Sequence, residues 1–369
     1  MRSLGKHAAL GLAAAGLMVG LTTAPAHAVP APNGASNVLA AVGSDTTFDV
    51  MGKILKKFNV NTTFNPAPID TAKNVPPVLA AGGSYAVPGD ANCAAFSYTN
   101  PGNLPPNGSS SGITALINDT TGCVDMARSS RGRSGSDPAN IEFYAYAKDA
   151  VSWDAFRNTA CPGTDTGPVG CAPKNLTQQN LKDIYGCVVN NWSAVGGDPG
   201  VIVRYTAQAG SGTRSFFDSK VLGGNTSNNP ACPSTEIQEN DSTLVAAGDR
   251  ATALLPYSFA QFTAQKNLVV PDLRAGTKLG NINGVQPNTT TIGNATFLGV
   301  RWVYNVAKTT SPSYGDVLRA VGVDATGPGF LCSGSQATNI TLYGFVPIAS
   351  GPSGPGLPNS TCRKEPAPL

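Results

Sequence analysis

Histidine is nearly missing from this chain: among 369 residues only His7 and His27 occur, and both fall in the first 28. That opening stretch reads as an export signal. Arg2 and Lys6 give a basic start, Ala8 to Leu21 an apolar run, and Ala26-His27-Ala28 a small-x-small cleavage site. After cleavage no imidazole remains. A Ser-His-Asp triad is then impossible, although Gly108-Ser109-Ser110-Ser111-Gly112 formally matches the G-x-S-x-G nucleophile elbow. Histidine-ligated metal sites are excluded with it.

Charge is the second scarcity. Charged residues make up 13% of the chain, against about 25% in ordinary soluble domains, so its surface is built from Ser, Thr, Asn and Gly. Without the first 28 residues, 23 basic side chains stand against 22 acidic ones. A polyanion binder shows a basic excess or basic clusters; the one cluster here is Arg128, Arg131 and Arg133, and no nucleic-acid partner is expected. No run after the first segment is long and apolar enough to span a bilayer. No cysteine stands directly after the apolar run, where a lipid anchor on a processed N-terminal Cys would need one, so the expected product is secreted or associated with the cell wall.

The eight cysteines are an even number behind an export signal, and no pair has the CxxC spacing of a zinc or redox site. Four disulfides follow, which removes thiol chemistry. Eight cysteines allow 105 pairings; we expect sequence neighbours to pair, Cys93 with Cys123, Cys161 with Cys171, Cys187 with Cys232, and Cys332 with Cys362.

What the chain does have is three short Gly/Ser/Thr turns, each leading into a helix-like segment: Gly43-Ser44-Asp45-Thr46-Thr47-Phe48, Gly108 to Gly112, and Gly210-Ser211-Gly212-Thr213-Arg214. Glycine lets backbone approach a ligand closely, the first helical turn offers unpaired N–H groups, and the hydroxyls add donors. Three such turns converging on one point would grip an oxyanion. Taken singly, each is also an ordinary N-capped loop.

The first turn follows an apolar strand, Val38 to Val42. It precedes a helix from Phe48 to Phe58 with Val50, Met51, Ile54, Leu55 and Phe58 on one face. Helices are also expected from Ile113 to Ile117, from Ser215 to Leu222, and after an N-cap at Thr177 with Leu181, Ile184 and Tyr185 facing inward. Tyr144 to Trp153, Val201 to Tyr205 and Leu298 to Val306 read as strands, and Gly351 to Leu369 as an extended tail. Strand, glycine turn and helix in succession is the grammar of an α/β protein with ligands at the carboxyl ends of its strands. About 341 residues after cleavage exceed one core and suggest two lobes that hinge shut on a guest.

At these residues the chain resembles the phosphate-binding subunit of bacterial ABC transporters, within the type II periplasmic-binding-protein fold. The matching pieces are Gly108 to Ile113, Leu176 to Trp192 with Val195-Gly196-Gly197, and Gly210 to Thr213. The resemblance implies a bilobal α/β clamshell with two mixed-sheet lobes, a crossing near Ala147 to Val151 and a return near Thr296 to Gly299. Lobe 1 is then 37–147 plus 299–362, lobe 2 is 148–298, and 363–369 is a tail. It places Thr47, Phe48, Ser109, Ser211, Gly212 and Thr213 on the ligand, Phe48 through its N–H. It further implies a monomer without cofactor or catalytic metal that captures phosphate or a similar oxyanion and delivers it to ABC-transporter membrane subunits.

Two positions depart from the family pattern. Where the family carries an Asp that accepts a proton of the ligand, this chain has Ser130; where it carries an Arg before the third turn, it has Ala207. Asp45 is the candidate substitute acceptor, with Thr46 and Ser110 beside the matched positions, and Arg128, Arg131 or Arg214 supplies positive charge. Two other classes stay open: a surface protein that keeps the clamshell but has lost its ligand, and a histidine-independent hydrolase using Ser109 or Ser110.

Overall fold

The computed structural model describes residues 37–66, 70–157, 160–161 and 170–369; the expected export signal lies outside them. Eight strands form the main path of an eleven-stranded central sheet, numbered here in chain order: β1 (Val38–Gly43), β2 (Thr71–Asn74), β3 (Met126–Ser129), β4 (Ile141–Phe156), β5 (Val203–Ala207), β6 (Thr235–Ile237), β7 (Ala253–Ser258) and β8 (Val300–Lys308). Their spatial order is β2-β1-β3-β8-β4-β7-β5-β6, with shorter pieces added to β4. The two ends mirror each other. β2, β1 and β3 run parallel at one end and β7, β5 and β6 at the other, while β8 and β4 enter antiparallel between them.

Helix α1 (Phe48–Phe58) buries Val50, Met51, Ile54, Leu55 and Phe58, the face expected from their spacing. Helix α2 (Ser109–Asn118) follows the second turn, and α3 (Gln178–Tyr185) begins at Thr177 with a reciprocal capping box to Asn180, burying Leu181, Ile184 and Tyr185. After the third turn α4 (Gly212–Phe216) passes into a wider π-helical turn over Phe217–Val221 rather than one regular helix. That widening turns Phe217 and Val221 into the core beside Tyr185. Helix α5 (Phe259–Lys266) leaves the end of β7 with Ser258 as its cap. Among the described residues no helix is long and apolar enough to cross a membrane.

Packing sorts the molecule into two groups of cores. Residues around α1, β1 and β3 cluster with the segment from Val303 to Cys362, whereas Trp153, Trp192, Leu181, Phe217 and Phe297 pack together on the other side. The long strand β4 runs through both groups, and Val151 N donates to Gly299 O at 2.8 Å where the chain returns. The last stretch is not a free tail. Arg363–Lys364 pairs antiparallel with Tyr144 and Ala145 of β4, and the Glu365 carboxylate accepts from Phe143 N at 2.8 Å.

All four disulfides join sequence neighbours as expected: Cys93–Cys123, Cys161–Cys171, Cys187–Cys232 and Cys332–Cys362. Trp153 and Trp192 are core residues, with ring centroids 6.3 Å apart.

Two buried carboxyls sit beneath this frame. Asp125 accepts from Ala40 N at 2.8 Å and from Ser313, Asp154 from Ser242 Oγ at 3.3 Å, and burial pushes both up to about 7. Native carboxyls of this kind hold protons that the unfolded chain releases near pH 4. Their contribution to stability is therefore full below about pH 4 and declines as pH rises to about 7. Thermal melts should show a lower Tm at pH 8 than at pH 5, and the drop should shrink in Asp154→Asn, a neutral isostere. An unchanged drop in that variant would clear Asp154.

Candidate functional site

Each of the three turns is forced by close backbone approach. Gly43 closes β1 at a φ of 101°, and a Cβ there would come 2.8 Å from Arg128 O and 3.1 Å from Gly112 Cα. Gly108 and Gly210, at φ of 93° and 83°, abut each other so tightly that a Cβ on Gly108 would meet Gly210 O at 2.4 Å. Only glycine fits such positions. The second and third turns are thereby stapled together, and Ser110 N donates to Gly210 O at 3.0 Å.

The hydroxyls then meet. Thr46 Oγ1 and Thr213 Oγ1, 167 residues apart in the chain, lie 3.1 Å from each other. Ser109 Oγ accepts from Ser130 N at 2.9 Å and lies 3.2 Å from Ser130 Oγ. Gly212 is packed against both serines, since a Cβ on it would come 2.2 Å from Ser109 Oγ and 2.5 Å from Ser130 Oγ. Ser211 caps α4 through Arg214 N at 3.1 Å and donates to Glu239 Oε2 at 2.9 Å. Thr46, Thr47, Ser109, Ser130 and Thr213 have no exposed surface, and Ser211 has 2%. One buried cluster thus gathers residues from all three turns.

Its cation is not among the arginines expected from the sequence. Arg301 on β8 reaches in from the sheet, and its Nη2 at 2.8 Å and Nε at 3.1 Å both donate to Asp149 Oδ2. The same guanidinium donates to Thr213 Oγ1 at 3.1 Å, Thr46 Oγ1 at 3.5 Å and Ser130 O at 3.1 Å. Arg301 and Asp149 face each other in the β8–β4 register. An Arg in one largely apolar strand and an Asp within another were the sequence signal for this pair.

The expected cations are engaged elsewhere. All five N–H donors of Arg128 go to Ala41 O, Gly43 O, Ser44 O, Val75 O and Asn74 Oδ1, so it braces the carbonyls beneath the first turn, and burial lowers it to about 10. Arg131 is tied to Asp137 at 2.7 Å and to Ser110 Oγ at 3.0 Å. Arg214 points outward to Glu236 at 2.7 Å. The Phe48 N–H, expected on the ligand, donates instead to Asp45 O at 2.9 Å within its own turn.

Residues with no glycine or helix signature complete the cluster. The loop after β6 brings in Glu239 and Asn240. Asn240 Nδ2 donates to Thr46 Oγ1 at 3.3 Å and to Asp45 Oδ2 at 3.4 Å, and Gln261 Nε2 on α5 holds Thr46 O at 2.8 Å. Burial, and next the charge of Glu239, push the Asp45 carboxyl well above the usual range. Among the described residues neither Ser109 nor Ser110 has a hydrogen bond to a basic group able to activate it: Ser109 Oγ binds Ser130, and Ser110 Oγ accepts from the permanently charged Arg131. No group of His, Cys, Asp and Glu suited to a metal ion occurs among the described residues.

A family model described as a PBP superfamily domain matches residues 31–316. The chain belongs to this superfamily. The fold agrees with that membership: the chain is similar to an ABC-type phosphate transport receptor from Vibrio cholerae (19% identity, 84% of this chain and 99% of that one, TM-score 0.53). It is also similar to a putative phosphate ABC transporter substrate-binding protein with bound phosphate from Clostridium perfringens (18% identity, 85% and 100% covered, TM-score 0.56). No match is found among curated proteins. The hydroxyl cluster joins the turn after β1 to the turn after β5, beside Arg301 on β8 and Asp149 on β4, the two strands that separate the parallel ends of the sheet.

Arg301→Met should destabilise the protein by about 3–5 kcal/mol, since it strands a buried Asp149 without its cation. Urea denaturation checks this, and a loss within about 0.5 kcal/mol would mean that the pair carries no structural weight.

Proposed function

We propose that this is a solute-binding protein that captures inorganic phosphate or a related oxyanion between two lobes and passes it to ABC-transporter membrane subunits. The lobes in this reading are 37–147 with 299–362, and 148–298. The observation that carries it is the meeting of the three turns. Thr46 touches Thr213, and Gly212 abuts Ser109 and Ser130, so donors from both halves of the chain surround one buried point. Arg301 supplies the positive charge that a desolvated anion requires.

The donors suffice energetically. A hydrogen bond to a charged group contributes about 1.5–3 kcal/mol, and a micromolar site needs about 8 kcal/mol, so four or five good ones are enough. Phosphate is favoured among oxyanions by the similarity to a phosphate transport receptor from Vibrio cholerae and to a phosphate-bound substrate-binding protein from Clostridium perfringens. Four disulfides fit an oxidising compartment and hence an exported protein, working as a monomer. Capture rather than catalysis is supported by the similarity to an ABC-type transport receptor and to a transporter substrate-binding protein.

Calorimetry with phosphate, sulfate and a phosphate ester tests this reading. Phosphate should bind at micromolar or tighter affinity, and Ser211→Ala combined with Thr213→Ala should abolish the binding. Silence toward every small anion would point to a surface protein that keeps the fold without a ligand, and turnover of the ester to an enzyme.

A further inference from the structure

The hydroxyls that would grip a guest already have an anion. Glu239 enters the cluster from the loop after β6, and that loop is pinned from several directions. Gln208 Oε1 accepts from Glu239 N at 2.8 Å, Asn107 Nδ2 donates to Gln238 Oε1 at 2.8 Å, and Asn240 Oδ1 accepts from Ser258 N at 3.0 Å. The side chain is therefore aimed rather than loosely folded in. Its Oε2 accepts from Ser211 Oγ at 2.9 Å and from Thr46 Oγ1 at 3.3 Å. One donor comes from the third turn and one from the first, which is the arrangement a bound oxyanion oxygen would make. Glu239 is 2% exposed, and its Oε1 is buried with no hydrogen-bond partner among the described residues.

A carboxylate oxygen held by hydroxyls from two turns, with the Arg301 guanidinium on the same Thr46 and on Thr213, copies the chemistry of the proposed ligand. We propose that Glu239 is an internal counter-ligand, so that a guest oxyanion binds only by displacing its carboxylate from Ser211 and Thr46. The inference rests on the oxyanion-capture reading and adds a residue that sets affinity and specificity. Two anions at hydrogen-bond distance repel strongly in a site shielded from water. Guest and Glu239 therefore exclude each other, and the cleft discriminates by how well an anion outcompetes a carboxylate. Asn240 and Gln261 hold Thr46 in place while this exchange happens, because their bonds to it do not pass through Glu239.

The test is titration calorimetry of the full chain, Glu239→Gln and Glu239→Ala with inorganic phosphate and with sulfate. Gln keeps the size of the side chain but makes a neutral, weaker acceptor; Ala removes the competitor. Phosphate and sulfate should both bind at least tenfold tighter in each variant, with Ala gaining at least as much as Gln. Adding Ser211→Ala to Glu239→Gln should cancel the gain. Weaker phosphate binding in Glu239→Gln overturns the proposal, because Glu239 would then be a contact of the ligand itself. Unchanged affinity for both anions in the two variants overturns it too, leaving Glu239 a structural carboxylate, while the capture reading stands. Absence of anion binding in the wild type and in both variants sinks the capture reading and this proposal with it.

Discussion

The buried pair of Arg301 and Asp149 is the joint to which the rest of the molecule is indexed. Both side chains are almost wholly withdrawn from water, and a desolvated ion pair is tolerated only when its remaining donors and acceptors are also satisfied. Here they are. Asp149 accepts from Ser258 Oγ at 2.8 Å and from Ala260 N at 2.9 Å at the start of α5, while Arg301 extends to Ser130, Thr213 and Thr46. Satisfying one ion pair thus fixes the first and third glycine turns, the strand end carrying Ser130, and the entry of α5 in a single geometry. The pair sits on β4 and β8, the two strands that run through both groups of cores.

What could be read from the sequence is what depends on neighbours along the chain. The apolar face of α1, the Thr177 cap of α3, the glycine turns and the neighbour-paired cysteines are all local rules, and each appears in the structure. What could not be read depends on register. Nothing local says that residue 301 faces residue 149 across a strand pair, or that the loop after β6 swings back to Thr46. Arg128 shows the same limit from the other side. Its place in the chain made it a candidate for the anion, but β3 beside β1 turns its guanidinium onto the carbonyls of the first turn. A strand following a turn fixes where a side chain begins; the neighbouring strand decides where it ends.

The scarcity of charge and the abundance of hydroxyls are two sides of one design. Arg128, Arg301 and Arg319 are all fully or almost fully buried, so a chain with few charges places several of them inside, where each organises backbone carbonyls or carboxylates. Hydroxyls then do the donating. A Ser or Thr hydroxyl carries a donor and acceptor sites at once and rotates to suit its partner, so a cluster of them can serve a carboxylate or an inorganic oxyanion without rebuilding. The cluster's uncharged donors therefore say only that an acceptor oxygen belongs there.

Discrimination among such acceptors must come from the groups that cannot rotate their way out of conflict. These are the carboxyls of Asp45 and Glu239 and the guanidinium of Arg301, all bonded to Thr46 or to a residue that bonds it. Burial and the charge of Glu239 push the Asp45 carboxyl up, and Glu239 is already held by two hydroxyls. A cluster of this composition is not a generic anion trap. Under the proposed capture its hydroxyls would hold an oxygen, and its carboxyls, which repel a second anion, would decide which oxygen is admitted.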